Sequence, residues 1–448
     1  MPATEAIVFY DPSYEALRRS DMEQLQVERL QITLNRACRN VAFYEKTLTR
    51  AGFDVGRIKT VADLRQLPLT TKDDLRRAYP YGMFAVPLRD IVRLHATSGT
   101  TGMPIVTGYT RNDVRLWASL VARQLVAVGI SDHDVVQIAF SYGLFTGGLG
   151  FHYGAERLGA SVIPASASPS PREQNQILKD YKATALLTMP SYALTMAHHL
   201  EAMGIHPEQL VLRVAILGAE PWSEELRQRL QTRFHVRAYD TYGVAEIMGP
   251  GISGECDQQC GLHLNEDHFI AEVIDPDSGE PLGPGETGEL VLTTITKEGF
   301  PLVRYRTGDL TRLDPEPCAC GRTLVRMARV SGRTDDLIFL NGVKVLPSHV
   351  EAVLQGAQGI EPDFRIVLER DGDAEVMRVQ VAPSPDAGRF DEIRALELLQ
   401  RDLSQRLVDE LRVPVNLTFV EAATVRPATP ANAKKRYAVV DQRPRTPG

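Results

Sequence analysis

Residues 135–165 read Val135-Val136-Gln137-Ile138-Ala139-Phe140, then SYGLFTGGLGFHYGAERLGA over 141–160, then Ser161-Val162-Ile163-Pro164-Ala165. The reading of this stretch decides between two kinds of protein. Val135 to Ala155 runs for 21 residues without a formal charge, long enough to span a bilayer. Yet it contains Gln137, Ser141, Thr146, His152, two tyrosines and five glycines. These break a lipid-facing helix into a strand, a loop and a helix start. Val135–Phe140 is a short apolar run that suits a buried parallel strand, and Ser161–Ala165 follows the helix as a second strand.

The alternation continues on both sides. Ser170-Pro171-Arg172-Glu173 marks a helix start: serine as cap, proline at the first helical position, glutamate three residues after the cap. Ala183–Thr188, Val211–Leu217 and His235–Tyr239 read as further strands, with helices over about 191–203 and 223–233 between them. Upstream, Val27, Leu30, Leu34, Ala37, Cys38 and Val41 recur at spacings of three and four. They predict an amphipathic helix over 22–48 with Cys38 as a buried thiol. Such alternation implies an α/β fold, a mostly parallel sheet covered by helices. After about residue 265, His268–Asp275 and Gly288–Thr294 are β-rich and separated by Gly/Pro turns, which suggests a separate β-rich subdomain. From Ser331 a small α+β region follows: a helix at Ser348–Leu354, strands at Phe364–Leu368 and Val376–Val381 around an Asp-Gly turn, a helix near 390–410 and a strand at Val415–Val420. The chain is divided accordingly into a body over 1–332, whose β-rich part over about 255–330 carries the clustered cysteines, and a small domain over 333–448. The Pro-rich, basic tail reads as a surface segment or one ordered by ligand.

Of the 448 residues, 43% are hydrophobic and 24% charged. This ordinary composition excludes a disordered, collagen-like or disulfide-scaffold chain. Lys+Arg 50 against Asp+Glu 57 gives a net charge of −7, so no global positive field drives non-specific binding to nucleic acid or anionic membrane. The N-terminus MPATEAIVFYDPSYEALRRSD has no basic n-region and no apolar h-region, and no signal peptide is expected. A cytoplasmic location is the expectation. There, clustered cysteines suggest metal binding or catalysis before disulfides.

Thr97-Ser98-Gly99-Thr100-Thr101-Gly102-Met103-Pro104 combines two glycines with four hydroxyl residues. Its backbone N–H groups and hydroxyls suit an anion-binding nest. It is not a GxxxxGK[ST] loop, since no Lys-Ser/Thr follows. The octapeptide resembles the phosphate loop of adenylate-forming enzymes: acyl- and aryl-CoA synthetases, luciferases and peptide-synthetase adenylation domains. In the right order follow Gly218-Ala219-Glu220-Pro221-Trp222, Asp240-Thr241-Tyr242-Gly243-Val244-Ala245-Glu246, Tyr305-Arg306-Thr307-Gly308-Asp309, Gly332-Arg333-Thr334-Asp335-Asp336 and a late Lys435. The segments SYGLFTGGLGFHYGAERLGASVIP, LGAEPW, EIMGPG and HLNEDHF resemble the phenylacetate-CoA ligase branch, and the resemblance runs from about residue 25 to the C-terminus.

The resemblance implies a large N-terminal adenylate-forming domain and a small mobile lid. It implies a two-step reaction. A carboxylate attacks the α-phosphate of ATP, giving an acyl-adenylate and pyrophosphate; a thiol, usually that of coenzyme A, then displaces AMP. Thr97, Ser98, Gly99, Thr100, Thr101 and Gly102 would cradle the β- and γ-phosphates. Gly218, Ala219 and Glu220 would line the adenine, Tyr242 would stack on it, and Asp240 and Thr241 belong to the same nucleotide motif. Glu246 would be the magnesium ligand, Asp309 would accept from the ribose hydroxyls, and Arg333 would approach the phosphates. Lys435 would neutralise charge developing at the α-phosphate. Relatives usually have glycine before that lysine, whereas this chain has Lys434, a competitor for the role. Asp335 sits where relatives place the hinge. Met103 replaces a lysine common in relatives, leaving more of the phosphate binding to backbone donors. Tyr142, Phe145, Gly147, Gly148, Leu149 and Phe151, with Met248, Gly249 and Pro250, would wall an apolar pocket in which glycines leave room for a flat aromatic acid. Singly, each residue has an ordinary reading: Tyr242 as a core aromatic, Asp309 as a turn residue, Glu246 as a helix-start carboxylate. It is their joint order that carries the function.

Cys256-x3-Cys260-x2-His263 is followed by Cys318-x-Cys320. Thiolates plus an imidazole suit a four-coordinate structural zinc site. There are five candidates for four positions. The resemblance favours Cys256, His263, Cys318 and Cys320, because metal-bearing relatives keep those and vary the position of Cys260. The leading expectation is therefore an ATP-dependent aryl-acid–CoA ligase with magnesium and a structural zinc. Its partner is a small aromatic acid, and the resemblance is compatible with a homodimer. The competing expectations are an adenylating enzyme that passes the acyl group to an amine or other non-CoA nucleophile, and a non-catalytic nucleotide-binding homologue.

Overall fold

The computed structural model describes residues 8–97, 103–167, 170–336, 338–340, 343–355, 357–371, 374–384, 392–425 and 437–443. Ser98, Gly99, Thr100, Thr101, Gly102, Lys434 and Lys435 lie outside them. The chain forms two compact units. One holds the residues up to Ala219 together with Arg229–Arg329; the other holds Glu220–Gln228 and the chain from Val330 onward.

The large unit is built on a nine-stranded sheet. From one edge, Ser161–Ile163, Val135–Ile138, Ala185–Thr188, Val214–Gly218 and Arg237–Val244 run parallel. Helices Thr146–Leu158, Pro171–Asp180, Pro190–Ala202 and Glu224–Phe234 connect them in chain order. Ala185–Thr188 and Val214–Gly218 are buried at every position, which is why they read as unbroken apolar runs rather than alternating ones. Ser170 caps its helix as predicted, accepting from the Glu173 N–H in a reciprocal box with proline at the first turn.

The other half of the sheet is antiparallel: Gly249–Glu255, Leu262–Leu264, Arg326–Met327 and Leu313–Asp314. This corrects the sequence reading in part. Phe269–Ile274, Gly288–Thr294 and Tyr305–Thr311 do form a separate antiparallel ladder. The cysteine- and histidine-bearing segments instead extend the main sheet, because His263 pairs with both Gly254 and Arg326. The predicted helix over 22–48 is two helices, Arg19–Asn40 and Ala42–Arg50. Val41 breaks it by taking extended angles (φ −117°, ψ 107°) while burying its side chain. Cys38 is half-buried rather than buried.

In the small unit the sheet order is Val415–Phe419, Ala374–Pro383, Ile360–Asp371, Tyr437–Asp441. Its core includes Phe364, Ile366, Val379, Leu403 and Leu407. The tail is not wholly irregular. Tyr437–Asp441 adds a parallel edge strand, Phe364 opposite Tyr437 through Leu368 opposite Asp441. Its anchor is Tyr437, whose ring stacks on Phe364 at 5.4 Å and whose hydroxyl donates to Asp336 at 3.1 Å.

Candidate active site

Two of the expected nucleotide motifs, Gly218–Trp222 and Asp240–Glu246, lie at the carboxyl end of the parallel pairing between strands Val214–Gly218 and Arg237–Val244, where open α/β sheets bind ligands. Gly218 ends its strand opposite Thr241, and a side chain at 218 would collide with the Thr241 carbonyl. Ala219 turns the chain away with φ +73°, a left-handed conformation that costs an alanine about 1–2 kcal/mol. Tyr242 donates from its hydroxyl to Asp309 Oδ2 at 2.6 Å, both residues being buried. Two motifs far apart in sequence thus meet as strands of different sheets. Glu246 lies buried in the turn after Arg237–Val244, 3.8 Å from Lys72 Nζ. Thr97, the first residue of the hydroxyl-rich motif, is fixed to Ile105: its N–H donates to the Ile105 carbonyl and its Oγ1 accepts from the Ile105 N–H, each at 3.0 Å.

Two motif residues have structural partners. Asp240 donates its N–H to Glu255 at 2.7 Å, and its carboxylate stands 3.6 Å from Arg329 Nε. Thr241 Oγ1 accepts from Gln124 Nε2 at 2.6 Å. Glu220 and Arg333 belong to the small unit, and Asp335 falls in a short 3-10 turn, Thr334–Asp336.

Of the residues expected to receive the acid, Phe145 precedes helix Thr146–Leu158. The Tyr142 hydroxyl lies 3.3 Å from His152 Nδ1, and His152 Nε2 lies 3.2 Å from Glu156. Burial pushes the Tyr142 phenol up. Phe151 stacks on Phe140 at 5.3 Å. Around the glycines the protein itself packs closely. A Cβ at Gly148 would sit 2.8 Å from the Ser141 carbonyl, one at Gly147 would sit 2.7 Å from the Phe145 ring, and one at Gly150 would sit 2.5 Å from the Trp117 ring. They permit close packing of the helix and its leading loop. Met248 is buried, and Gly249, at φ +91°, turns the chain into Pro250.

The sequence reading missed the frame behind this wall. Tyr109 and Trp117 stack at 5.0 Å. The Tyr109 hydroxyl donates to the Met248 carbonyl at 3.1 Å, and Trp117 Nε1 donates to the Pro250 carbonyl at 2.7 Å. Lys297, fully buried, donates to the Ile247 carbonyl at 2.6 Å. His95 donates from Nδ1 to the Leu144 carbonyl at 3.0 Å, and its buried Nε2 has no hydrogen-bond partner among the described residues. The sequence carries one signal for this frame, a lysine beside an apolar strand; nothing in it separates Tyr109 and Trp117 from plain core.

The cysteines and histidine converge. The ligand atoms of Cys256, His263, Cys318 and Cys320 all lie within 4.8 Å of one another, and all four residues are buried. Cys256 Sγ and Cys318 Sγ are 3.8 Å apart; Cys320 Sγ and His263 Nε2 are 3.4 Å apart. Zinc–ligand bond lengths with tetrahedral angles require about 3.8 Å between sulfurs and about 3.6 Å from sulfur to nitrogen, so the set fits a zinc ion. His263 Nδ1 faces the Leu324 carbonyl at 3.4 Å, which orients Nε2 toward the thiols. Cys260 stands outside the set: it is exposed, 3.4 Å from Cys318 Sγ and 2.9 Å from Arg326 Nη1. The cysteine loop also holds the N-terminal segment, because Arg322 pairs with the buried Glu15 at 2.7 Å and donates to the Val8 carbonyl at 2.9 Å.

Comparison with known proteins identifies the family. Residues 20–296 match the AMP-binding enzyme family, and 342–443 match the AMP-binding enzyme C-terminal domain. A phenylacetate-coenzyme A ligase from Thermus thermophilus is 42% identical over 425 residues, 92% of this chain and 95% of that protein. One from Escherichia coli is 44% identical over 363 residues, 81% of this chain and 82% of that protein. Among solved structures, a 2-hydroxyisobutyryl-CoA ligase in the postadenylation state matches with a TM-score of 0.86 at 26% identity, over 98% of this chain and 94% of that one. No helix among the described residues is long and apolar enough to cross a membrane. With identity of this level over most of its length, the chain belongs to the AMP-binding enzymes and, within them, to the phenylacetate-coenzyme A ligase family.

Proposed function

We propose that this enzyme activates a small aromatic carboxylic acid with ATP and transfers the acyl group to coenzyme A. The observation that carries the reading is a single turn. Glu246, the nucleotide-motif carboxylate, and Met248–Pro250, the apolar wall, are separated by Ile247 alone, so both substrates would be gripped by one piece of backbone. In the first step an acid oxygen attacks the α-phosphorus and the bond to the bridging oxygen breaks, releasing pyrophosphate. In the second, the coenzyme A sulfur attacks the acyl carbon and AMP leaves.

Each side chain has a task in this scheme. Thr97 to Gly102 hold phosphate oxygens by backbone and hydroxyl donors. Gly218, Ala219 and Glu220 line the adenine and Tyr242 stacks on it. Asp309 accepts from the ribose while the Tyr242 hydroxyl orients its carboxylate. Glu246 would hold magnesium, whose chemistry there is neutralisation of phosphate charge; the Lys72 ammonium covers that carboxylate otherwise. Arg333 and Lys435 would supply cations to the phosphates, and Asp335 would be the hinge residue that acts between the steps. Tyr142, Phe145 and Met248–Pro250 receive the aryl ring. Cys256, His263, Cys318 and Cys320 would hold a structural zinc, with every position filled by protein and none open for catalysis. The reading places the enzyme in the cytoplasm, where ATP and coenzyme A are supplied and thiols stay reduced; fractionation of the producing cells tests that.

The test of function is ATP–pyrophosphate exchange across a panel of phenylacetate-, benzoate-, hydroxyaryl- and aminoaryl-type acids, followed by AMP release with and without coenzyme A. Exchange with at least one aryl acid and AMP release that needs coenzyme A support the reading. AMP release that needs an amine instead contradicts it.

A further inference from the structure

Lys297 follows the strand Gly288–Thr294, and its side chain is fully buried. Its Nζ donates to the Ile247 carbonyl at 2.6 Å and otherwise meets aromatic faces, 4.2 Å from the Tyr109 ring centroid and 5.3 Å from that of Phe300. Desolvation pushes its ammonium down to about 7 against the opposing pull of Asp113 and Glu246. Replacing a buried charge with an apolar side chain of like volume is often neutral or stabilising. Lysine is therefore a poor choice for this position if packing is its only task.

Its carbonyl partner suggests the task. Within four residues, three backbone carbonyls each accept from a buried side chain: Ile247 from Lys297, Met248 from Tyr109 and Pro250 from Trp117. The three donors stand on one frame. Asp113, in the first turn of helix Arg111–Ala127, accepts from the N–H groups of Thr110 at 2.9 Å, Glu298 at 2.7 Å and Gly299 at 2.9 Å. That carboxylate ties the backbone beside Lys297 to the helix bearing Trp117 and to the end of the strand bearing Tyr109. Binding groups are held well when their supports are themselves locked by packing and hydrogen bonds.

We infer that Lys297 is a positioning residue: through the Ile247 carbonyl it sets the turn that presents Glu246 to the nucleotide and Met248–Pro250 to the aryl acid. The inference rests on the function proposed above. It makes Lys297 the member of the frame closest in sequence contact to both half-sites, since Ile247 joins them.

Steady-state ATP–pyrophosphate exchange and thermal melting of the parent, K297M and K297Q test it. K297M removes the donor, while K297Q is neutral but keeps an N–H. K297M is expected to melt no lower than the parent, yet to raise KM for ATP and for the acid together and to lose about tenfold or more in kcat/KM. K297Q is expected to recover most of that loss. A folded K297M within about twofold of the parent in both KM values overturns the inference, as does a loss that only follows a lowered melting temperature. Should K297M not fold, K297Q decides: near-parental kinetics support the donor role, and a loss of about tenfold overturns it. A parent that exchanges with no aryl acid overturns the functional reading, and this inference with it. A parent that exchanges and a K297M that matches it overturn the inference alone.

Discussion

Replacing Tyr242 with phenylalanine removes one atom and leaves the ring in place. In the parent, that hydroxyl donates to Asp309 Oδ2 at 2.6 Å, and both residues are buried. The distance falls in the range of charge-assisted O–H···O⁻ bonds. A hydrogen bond to a charged group contributes about 1.5–3 kcal/mol net. For a unit of this size that is a fall in melting temperature of roughly 2–4 °C. The expectation separates stability from nucleotide binding. Y242F should melt lower without nucleotide, yet change KM for ATP by less than about threefold, because the stacking ring remains. Asp309→Asn should instead raise KM for ATP, since the ribose hydroxyls lose a charged acceptor. The double mutant closes a cycle in which coupling of about 1–3 kcal/mol is expected. Denaturant unfolding and exchange kinetics on the four proteins provide the readings. A Y242F protein within about 0.5 kcal/mol of the parent, or a coupling energy near zero, would refute the reasoning.

Protein prepared without chelator should carry one zinc per chain by elemental analysis. Cys260→Ser should keep the zinc and Cys318→Ser should lose it, and chelation should expose the segment around Glu15 to protease by loosening the Arg322 loop. Lys435→Ala should abolish adenylate formation while largely sparing thioester formation from supplied aryl-adenylate; near-normal adenylation would transfer the role to Lys434. Lys297 gives a pH signature. Its folded value near 7 lies below the ordinary lysine value of about 10.4. Between these the unfolded chain binds more protons, so this group's contribution to stability rises with pH from about 7 to about 10 and is lost as pH falls through 7. Urea melts should show that rise in the parent and a flatter profile in K297M.

The parallel half of the sheet was legible because its strands are apolar and its helix starts carry caps, Ser170 being the clearest case. The antiparallel half was harder: Leu262–Leu264 and Arg326–Met327 are too short to show a period, and their pairing is a tertiary fact. Val41 marks the same limit, since a stripe at helical spacing cannot show where the axis bends. In the site, Tyr242 and Asp309 were legible as motif members, but their mutual hydrogen bond was not. The four metal candidates came from residue type and resemblance, and their convergence reflects two neighbouring turns of one sheet. At Gly147 and Gly148 a glycine that admits a ligand and one that admits a phenylalanine ring or a carbonyl look alike in sequence. Lys297 was overlooked because its partners are one backbone carbonyl and two ring faces.

The central claim is that one turn holds ATP and an aryl acid together for adenylation. Aryl-acid-dependent ATP–pyrophosphate exchange, measured for the parent and for Glu246→Gln, tests it most directly. The account predicts exchange with at least one aryl acid in the parent and its loss in E246Q, with coenzyme A converting the adenylate to thioester at one AMP per thioester. Exchange confined to non-aromatic acids, or an E246Q enzyme as active as the parent, would contradict it.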